Sequence, residues 1–503
     1  MTSKAKILIQ GSALRMVDFF ANAIIALILM PFIIHSLGDK MYGLWILVGT
    51  FLGYYGLMDF GLNSAVQRFV SRAVGVKDQN EINRVINTSL VIFAVIGVIA
   101  LIITVVVSLF IPVFVKNISE IHIFRMVLLI LGINFALGFP MRVFSGILTS
   151  HLRYDLSTSI ELSKLLVRTV LIVYFLGKGC GVLALAWITL VMDMGGYIAK
   201  YFIVRSLYKY IIISRQYITK TKIKPLFGYS IYTFIAQIAD QLRSNVDNVV
   251  IAVFLGISQI TVYSIGFRLT KYFMDFIGSA IGMTMPIFSQ YESRGDYDSI
   301  REKFIFTTKI SGYLSLLIGG ILIIFGKSFI ERWMGKEYLF SYNIMLVLSI
   351  PMIFALMQNP SVQLLYGISK HKFFTIISLI EGIVNLILSI ILVKKLGLIG
   401  VALGTAIPMI IIKLVVQPVY TCKVVKISIR KYYLDIIVPA LFNSFVILFI
   451  FGLVFRNIIY LNYLNLLVLS GIIIILFSCI VFIVGFNKLE QDYLKNSVLI
   501  LRK

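Results

Sequence analysis

The sequence predicts an all-α integral membrane protein of about fourteen transmembrane helices, two look-alike halves of six plus two more at the C-terminal end. Three observations predict it. Of 503 residues, 59% are hydrophobic and 14% charged, with mean hydropathy +0.97; one aqueous core cannot hide that much apolar surface, so a bilayer must solvate it. Apolar runs of about 20 residues, the length that crosses hydrocarbon as a helix, recur from Leu14 to Phe486 without the two-residue alternation of barrel strands. The chain also repeats itself at a nearly constant offset, as set out below.

Taken in order, the expected spans are 12–35, 41–64, 85–111, 125–148, 158–177 and 182–203. A basic segment follows, and then 227–254, 261–288, 304–325, 342–366, 374–393, 399–421, 434–455 and 464–486. Lys4 and Lys6 ahead of the first run give it the look of a signal peptide, but no small-residue cleavage site follows, and the run is kept as a span. With the N-terminus in the cytoplasm, the segments on that side hold 26 Lys and Arg and those on the other side 9. By the positive-inside rule both termini are then cytoplasmic. The net charge of +24 is thus a membrane pattern rather than a nucleic-acid one, and the basic face would attract anionic lipid headgroups. Cys180, Cys422 and Cys479 are far apart, and His35, His122, His151 and His371 form no ligand-spaced cluster, so neither a disulfide framework nor a metal site is expected.

Leu37-Gly38 matches Leu255-Gly256 at an offset of 218, as do Ser71 with Ser289 and Ile82 with Ile300. Phe135-Ala136-Leu137 matches Phe354-Ala355-Leu356 at 219, Pro140 matches Pro360 and Glu161 matches Glu381 at 220, and Gly181-Val182 matches Gly400-Val401 at 219. Six spans separate the partners, so the halves run parallel, and such repeats place a substrate site between them near mid-membrane. The domains expected are therefore an N-lobe at 1–203, a basic cytoplasmic linker at 204–226, a C-lobe at 227–425, and an added helix pair with a tail at 426–503.

Ionisable residues inside the spans carry the functional signal. Glu161, Lys164 and Arg168 follow i, i+3, i+7, as do Asp240, Arg243, Asp247 and again Arg268, Lys271, Asp275; each trio falls within about 60° of one helix face. Gln237, Gln241, Ser244 and Asn248 widen the second stripe, and Arg15, Asp18 and Asn22 make another on the first span. A charge at mid-span costs roughly 2.5–3.5 kcal/mol on an insertion scale, so these faces must look inward. They either lock the bundle as ion pairs or line a wet, partly cationic cavity; apolar residues would lock as well, which favours the cavity, where Arg and Lys suit phosphate or acidic sugar. Asp59, in Met58-Asp-Phe-Gly-Leu62, reads as a gate or a helix-end contact. Asp193 has no basic neighbour one turn away on its own helix and is the first candidate for a protonatable or sodium-binding carboxylate. Arg142 and Lys413 are further single charges. Pro31, Pro286, Pro351 and Pro408, with Gly278 and Gly282, are candidate breaks or hinges.

The segment Leu29-Met-Pro-Phe-Ile-Ile-His-Ser-Leu-Gly-Asp-Lys-Met-Tyr-Gly-Leu-Trp45 resembles the first outer loop of the polysaccharide-transporter family of O-antigen and exopolysaccharide flippases. Asp59-Phe-Gly-Leu62, Gly146-Ile-Leu-Thr-Ser-His-Leu-Arg-Tyr-Asp155 and Gly397-Leu-Ile-Gly-Val-Ala-Leu-Gly-Thr-Ala406 add to the likeness, which covers nearly the whole chain. The resemblance implies two six-helix lobes, as in the multidrug and toxin extrusion and lipid II flippase proteins, and alternating access in a bacterial inner membrane. It implies as substrate a saccharide on an undecaprenyl pyrophosphate carrier, with polysaccharide polymerase machinery as a possible partner. The family's cavity cations would fall, by location only, on Arg15, Lys164, Arg168, Arg243, Arg268 and Lys271. Coupling or gating carboxylates would come from Asp18, Asp59, Asp193, Asp240, Asp247 and Asp275.

Rival classes are less well served. A drug or cation exporter of the same superfamily would bind organic cations through carboxylates and aromatics, whereas spans five and eight carry more Arg and Lys than acid. A major-facilitator carrier lacks its signature at Arg68–Arg84. A membrane glycosyltransferase or polymerase needs a sizeable outer loop, and the longest outer segments, 112–124 and 326–341, are short. No catalytic constellation and no phosphate-cradling glycine loop is present, so the expectation is transport without covalent chemistry or cofactor, H⁺ or Na⁺ coupling aside.

Overall fold

The computed structural model describes residues 3–113, 117–282, 284–455 and 462–501. Each expected span falls on helix. The helices are α1 (Ser3–Tyr55), α2 (Leu62–Gly75), α3 (Gln79–Leu109), α4 (Ile118–Ser150), α5 (Tyr154–Gly177), α6 (Gly181–Leu207), α7 (Ile223–Phe254), α8 (Ile257–Gly282) and α9 (Met285–Ser293). They continue as α10 (Tyr297–Trp333), α11 (Phe340–Met357), α12 (Asn359–Gly367), α13 (Lys372–Ile411), α14 (Gln417–Val425), α15 (Ile429–Tyr432), α16 (Val438–Phe455), α17 (Tyr463–Val484) and α18 (Lys488–Leu501). Among the described residues nine helical segments are long and apolar enough to cross a membrane, which makes the chain a multi-pass membrane protein. Two of these segments hold two expected spans each: α1 breaks at Gly38 (φ 75°), and α13 breaks at Gly397 (φ 58°). A left-handed turn there costs glycine nothing, which is why the break falls on it. The charged helices α5 and α8 are not among the nine, as stripes of Lys, Arg and Asp lower their hydropathy.

Several expected boundaries move. The second span ends near Tyr55, not at 64: a 3₁₀ turn at Gly56–Asp59 leads into left-handed Phe60 and Gly61, and α2 then runs as a separate amphipathic helix. The spans expected at 261–288 and 342–366 each divide in two, α8 with α9 and α11 with α12, where Pro286 and Pro360 sit in the first turn of the new helix. Proline lacks the N–H that a continuing helix would need. The two legs of α13 meet closely because Gly400 and Gly404 face Leu392 and Ser389, where a Cβ would collide with backbone. Helix starts follow capping chemistry: Asp78, Asn117, Asp296 and Asn462 each accept from a backbone N–H in the first turn of α3, α4, α10 and α17.

Contacts divide the chain into Met1–Thr261 and Val262–Lys503. The first unit's core gathers Leu62, Val66, Ile86, Phe93, Phe139 and Phe144 from α2, α3 and α4. The second's gathers Phe304, Tyr313, Leu364, Tyr432, Ile436 and Phe477.

The segment between α6 and α7 is bound along α3. Asn83 donates to Tyr210 O (3.0 Å) and accepts from Ile212 N (2.8 Å); Asn87, one turn on, donates to Ile212 O (2.8 Å) and accepts from Ser214 N (2.9 Å). Two side-chain amides thus pair with an extended strand as a neighbouring strand would, satisfying backbone groups that have no other ladder. Thr88 accepts from Thr219 N (3.1 Å), and Lys222 pairs with Glu81 (2.5 Å).

Candidate functional site

The stripe on α5 turns toward α6 and meets charge there. Lys164 Nζ lies 2.6 Å from Glu161 Oε2 and 3.1 Å from Asp193 Oδ1. Asp193 Oδ2 accepts from Asn134 Nδ2 of α4 at 2.8 Å, and Glu161 Oε1 receives Lys200 Nζ at 2.7 Å. The result is one continuous chain, Asn134–Asp193–Lys164–Glu161–Lys200, drawn from three helices, with Asn134, Lys164 and Asp193 near the middle of theirs. Its two cations and two anions cancel. Arg168, one turn beyond Lys164, adds a further positive charge and donates to Thr189 Oγ1 at 3.0 Å. Asp18 of α1 lies within electrostatic reach of both Glu161 and Lys164 and accepts from Asn22 at 3.0 Å.

Burial along the chain is graded: side-chain exposure is 7% at Lys200, 19% at Asp193, 20% at Lys164 and 37% at Glu161. An apolar wall would have locked these helices at lower desolvation cost. A partly open, hydrogen-bonded set of charges instead offers exchangeable partners to an anionic or polyhydroxylated ligand, since a phosphate or sugar hydroxyl can replace one internal partner for another.

The other sequence candidates fall in two groups. On α7, Arg243 pairs with the exposed Asp240 at 2.7 Å, and Asp247 is buried. The neutral part of that stripe faces α1: Asn248 donates to Thr50 Oγ1 at 3.0 Å, and Gly53 leaves room for Gln241 and Asn245. On α8, Lys271 and Asp275 make a half-exposed pair at 3.4 Å, with Arg268 half-buried on the same helix. Asp59 is a helix-end contact, accepting from Asn63 N at 3.2 Å at the start of α2. It lies in the field of Arg142, whose guanidinium stacks on Phe139 4.6 Å from the ring centre. The side chain of Arg15 lies outside those described.

Two members of the chain escaped the sequence reading, Lys200 and Asn134. Lys200 carried a signal, standing seven residues after Asp193 on the same face of α6. Asn134 carried none, because spacing within α4 says nothing of what α6 presents to it. Conversely Asp193, which has no basic neighbour one turn away on its own helix, receives one from α5.

The fold is shared with known transporters. An inward-facing multidrug resistance transporter of the MATE family and MOP superfamily superposes with a TM-score of 0.72 at 14% identity, over 84% of this chain and 99% of that one. The lipid II flippase MurJ, in an inward closed conformation, gives 0.72 at 17% identity over 94% and 99%. Among curated proteins, membrane protein EpsK of Bacillus subtilis (strain 168) is 22% identical over 413 residues, 81% of each chain. A protein named for O-antigen transport in Shigella flexneri is 23% identical over 416 residues, 80% of this chain and 96% of that one. The family model described as "Polysaccharide biosynthesis protein" matches residues 41–343, more than half of the sequence and the whole of the α5–α6 charge chain. The chain belongs to that polysaccharide biosynthesis protein family.

Proposed function

We propose that this protein is a flippase for a lipid-linked glycan, carrying an undecaprenyl-pyrophosphate-linked repeat unit from the cytoplasmic to the outer face of a bacterial inner membrane by alternating access, both termini cytoplasmic. Family membership and the names of relatives support the class of cargo. The observation that carries the reading is the charge chain centred on Lys164: ionised groups at mid-helix, hydrogen-bonded and partly open, are costly in a membrane and are retained where a polar ligand must pass. Pyrophosphate and glycan would exchange with its internal partners at Lys164 and Arg168 while the polyprenyl tail stays in lipid. Arg15, Arg243, Arg268 and Lys271 are further proposed contacts, and H⁺ or Na⁺ the proposed driving ion. Polymerase machinery would take up the delivered unit.

The test is surface display. Lys164→Gln with Arg168→Gln should abolish display of the polysaccharide while protein level in the membrane holds and lipid-linked precursor accumulates on the cytoplasmic side. Normal display would overturn the reading. Unchanged display together with altered resistance to organic cations would assign the chain to the exporters instead.

A further inference from the structure

Within the second unit, α10 and α17 leave a cleft of about 660 Å³ between them, a volume within the range of about 300–1,000 Å³ that ligand pockets occupy. Leu314, Leu317, Phe477, Val481 and Phe486 line it, and among the described residues Lys495 is the one charged side chain in its wall. The helix that carries Lys495, α18, is folded back over the end of α17. Gln491 Nε2 donates to Phe482 O and Phe486 O, both at 3.0 Å, taking up carbonyls that the end of a helix leaves open. Asn487 and Glu490 start α18 as a capping box, Glu490 N donating to Asn487 Oδ1 at 2.8 Å and Asn487 N to Glu490 Oε2 at 2.9 Å. Lys309 of α10 donates to the same carboxylate at 2.9 Å, with both side chains mostly buried. Phe486 packs on Tyr313 with ring centres 5.6 Å apart, and Lys303 Nζ lies 4.1 Å from the centre of the Tyr493 ring.

Lys309 is thus spent on holding α18 in place, whereas Lys495 is not. Its ammonium lies 5.8 Å from the centre of the Phe482 ring, is exposed, and joins none of the described ion pairs. Lys488, also exposed, stands seven residues earlier on the same helix face. Asp492 shares that face and pairs with neither lysine among the described residues, so the face keeps a net positive charge. Phe482 and Phe486 mark the end of the last span, which puts Lys495 at headgroup level with its stem along apolar surface.

An apolar cavity stays dry, and left empty its lining forfeits dispersion contacts, so hydrocarbon from the bilayer fills it. Lys495 decides which lipid supplies that hydrocarbon. A phosphate diester at the mouth of the cleft meets the ammonium with a charge-assisted hydrogen bond, while a zwitterionic headgroup brings a competing cation of its own. A second cleft on α10, against α16, is about 720 Å³ and is lined by Leu316, Gly320, Ile353, Phe442 and Phe449 with no charged side chain. It can hold chains without sorting headgroups.

We propose that the α10–α17 cleft is a binding site for a bilayer phospholipid of net negative charge, with an acyl chain along Leu314, Leu317 and Val481 and its phosphate at Lys495. Lys488 adds to the attracting field. The bound lipid fills the joint between α10 and α17 and fastens α18 to the membrane surface, whatever the protein transports.

The experiment is native mass spectrometry of the purified full-length protein in detergent, titrated with phosphatidylglycerol or with phosphatidylcholine of the same chains. Wild type should retain phosphatidylglycerol under conditions that strip phosphatidylcholine. K495Q should hold phosphatidylglycerol about fivefold less tightly and lose most of the preference, while K495R keeps it. S478F builds into the cleft from its lining and leaves the cations in place; it should lose the first-bound phosphatidylglycerol. Both positions are exposed, so neither change enters the core, which an unaltered melting temperature in lipid-free detergent checks. Equal retention of the two lipids by wild type, or K495Q and S478F binding as wild type does, overturns the proposal. So does displacement of phosphatidylglycerol by equimolar undecaprenyl phosphate with the same dependence on Lys495, which would give the cleft to the carrier lipid.

Discussion

Glu161 and Glu381, 220 residues apart in the sequence, each stand in one of the two units and meet charge differently. In the first unit Glu161 and Asp193 are both acids, and Lys164 bridges them within a chain whose contacts run from 2.6 to 3.1 Å. In the second, Glu381 faces Lys413 directly at 3.7 Å, nearly sealed, with the carboxylate short of donors. The first arrangement is rich in hydrogen bonds and open enough to trade partners with a ligand. The second offers no such access. The two units thus hold their acids differently, and the difference lies in hydrogen-bond supply more than in charge.

The sharpest way to break that contrast is to orphan each acid. Lys413→Met leaves Glu381 buried without a counter-ion and should destabilise the protein by about 3–5 kcal/mol, read as a fall in melting temperature in detergent; the double variant Glu381→Leu with Lys413→Met should recover most of it. Lys164→Met should cost less, about 1–3 kcal/mol, because Glu161 keeps Lys200, Asp193 keeps Asn134, and both retain some access to solvent. Equal losses in the two variants would mean that the units do not differ as described.

A smaller effect probes the polar contacts that involve no buried charge. Asn87→Ala removes two hydrogen bonds to the 208–222 strap and leaves two backbone groups to find other partners. It should cost about 1–2 kcal/mol locally. Limited proteolysis should then cut within that strap faster than in wild type, with the global melting temperature little changed. If cutting does not accelerate, the asparagine pairing is not what holds the segment.

How much of this was legible beforehand follows from what each signal measures. Hydropathy and glycine placement read the solvent and the backbone, so the helical membrane fold, the doubling of α1 and α13 and the close approach at Gly400 and Gly404 were within reach. Spacing along one helix reads its own face, so Glu161, Lys164 and Arg168 were found together. It does not read the neighbour, and Lys164 with Asp193 or Asn134 with Asp193 pair across helices. Asn83 and Asn87 looked like ordinary polar positions on α3, since nothing in an i, i+4 pair announces that its partner is an extended strand more than a hundred residues away. The π-turn Ile412–Val416, which carries Lys413, is a change of hydrogen-bond register, and a sequence that runs Ile411-Ile412-Lys413-Leu414 reads as plain helix.

His151 supplies the gentlest test, since it is a half-buried titratable group whose hydrogen bonds are complete, the condition Glu381 lacks. Its Nδ1 faces Ile147 O at 2.8 Å and must carry the proton, because a carbonyl only accepts; Nε2 then accepts from the Tyr210 hydroxyl at 2.6 Å, with Tyr208 stacked 3.9 Å away. Burial pushes the imidazole below its ordinary value of 6.5, so the unfolded chain binds the proton more readily than the folded one. The joint's contribution is full above pH 6.5 and declines as the pH falls from there toward the folded value, by at most about 1.4 kcal/mol per pH unit. Melting temperatures taken from about pH 8 to about pH 5 should fall more steeply in wild type than in His151→Gln, the two curves running parallel at the alkaline end. Parallel curves throughout would mean that the ring tolerates its second proton, and that complete hydrogen bonding of the neutral form is not enough to make a buried group sense pH.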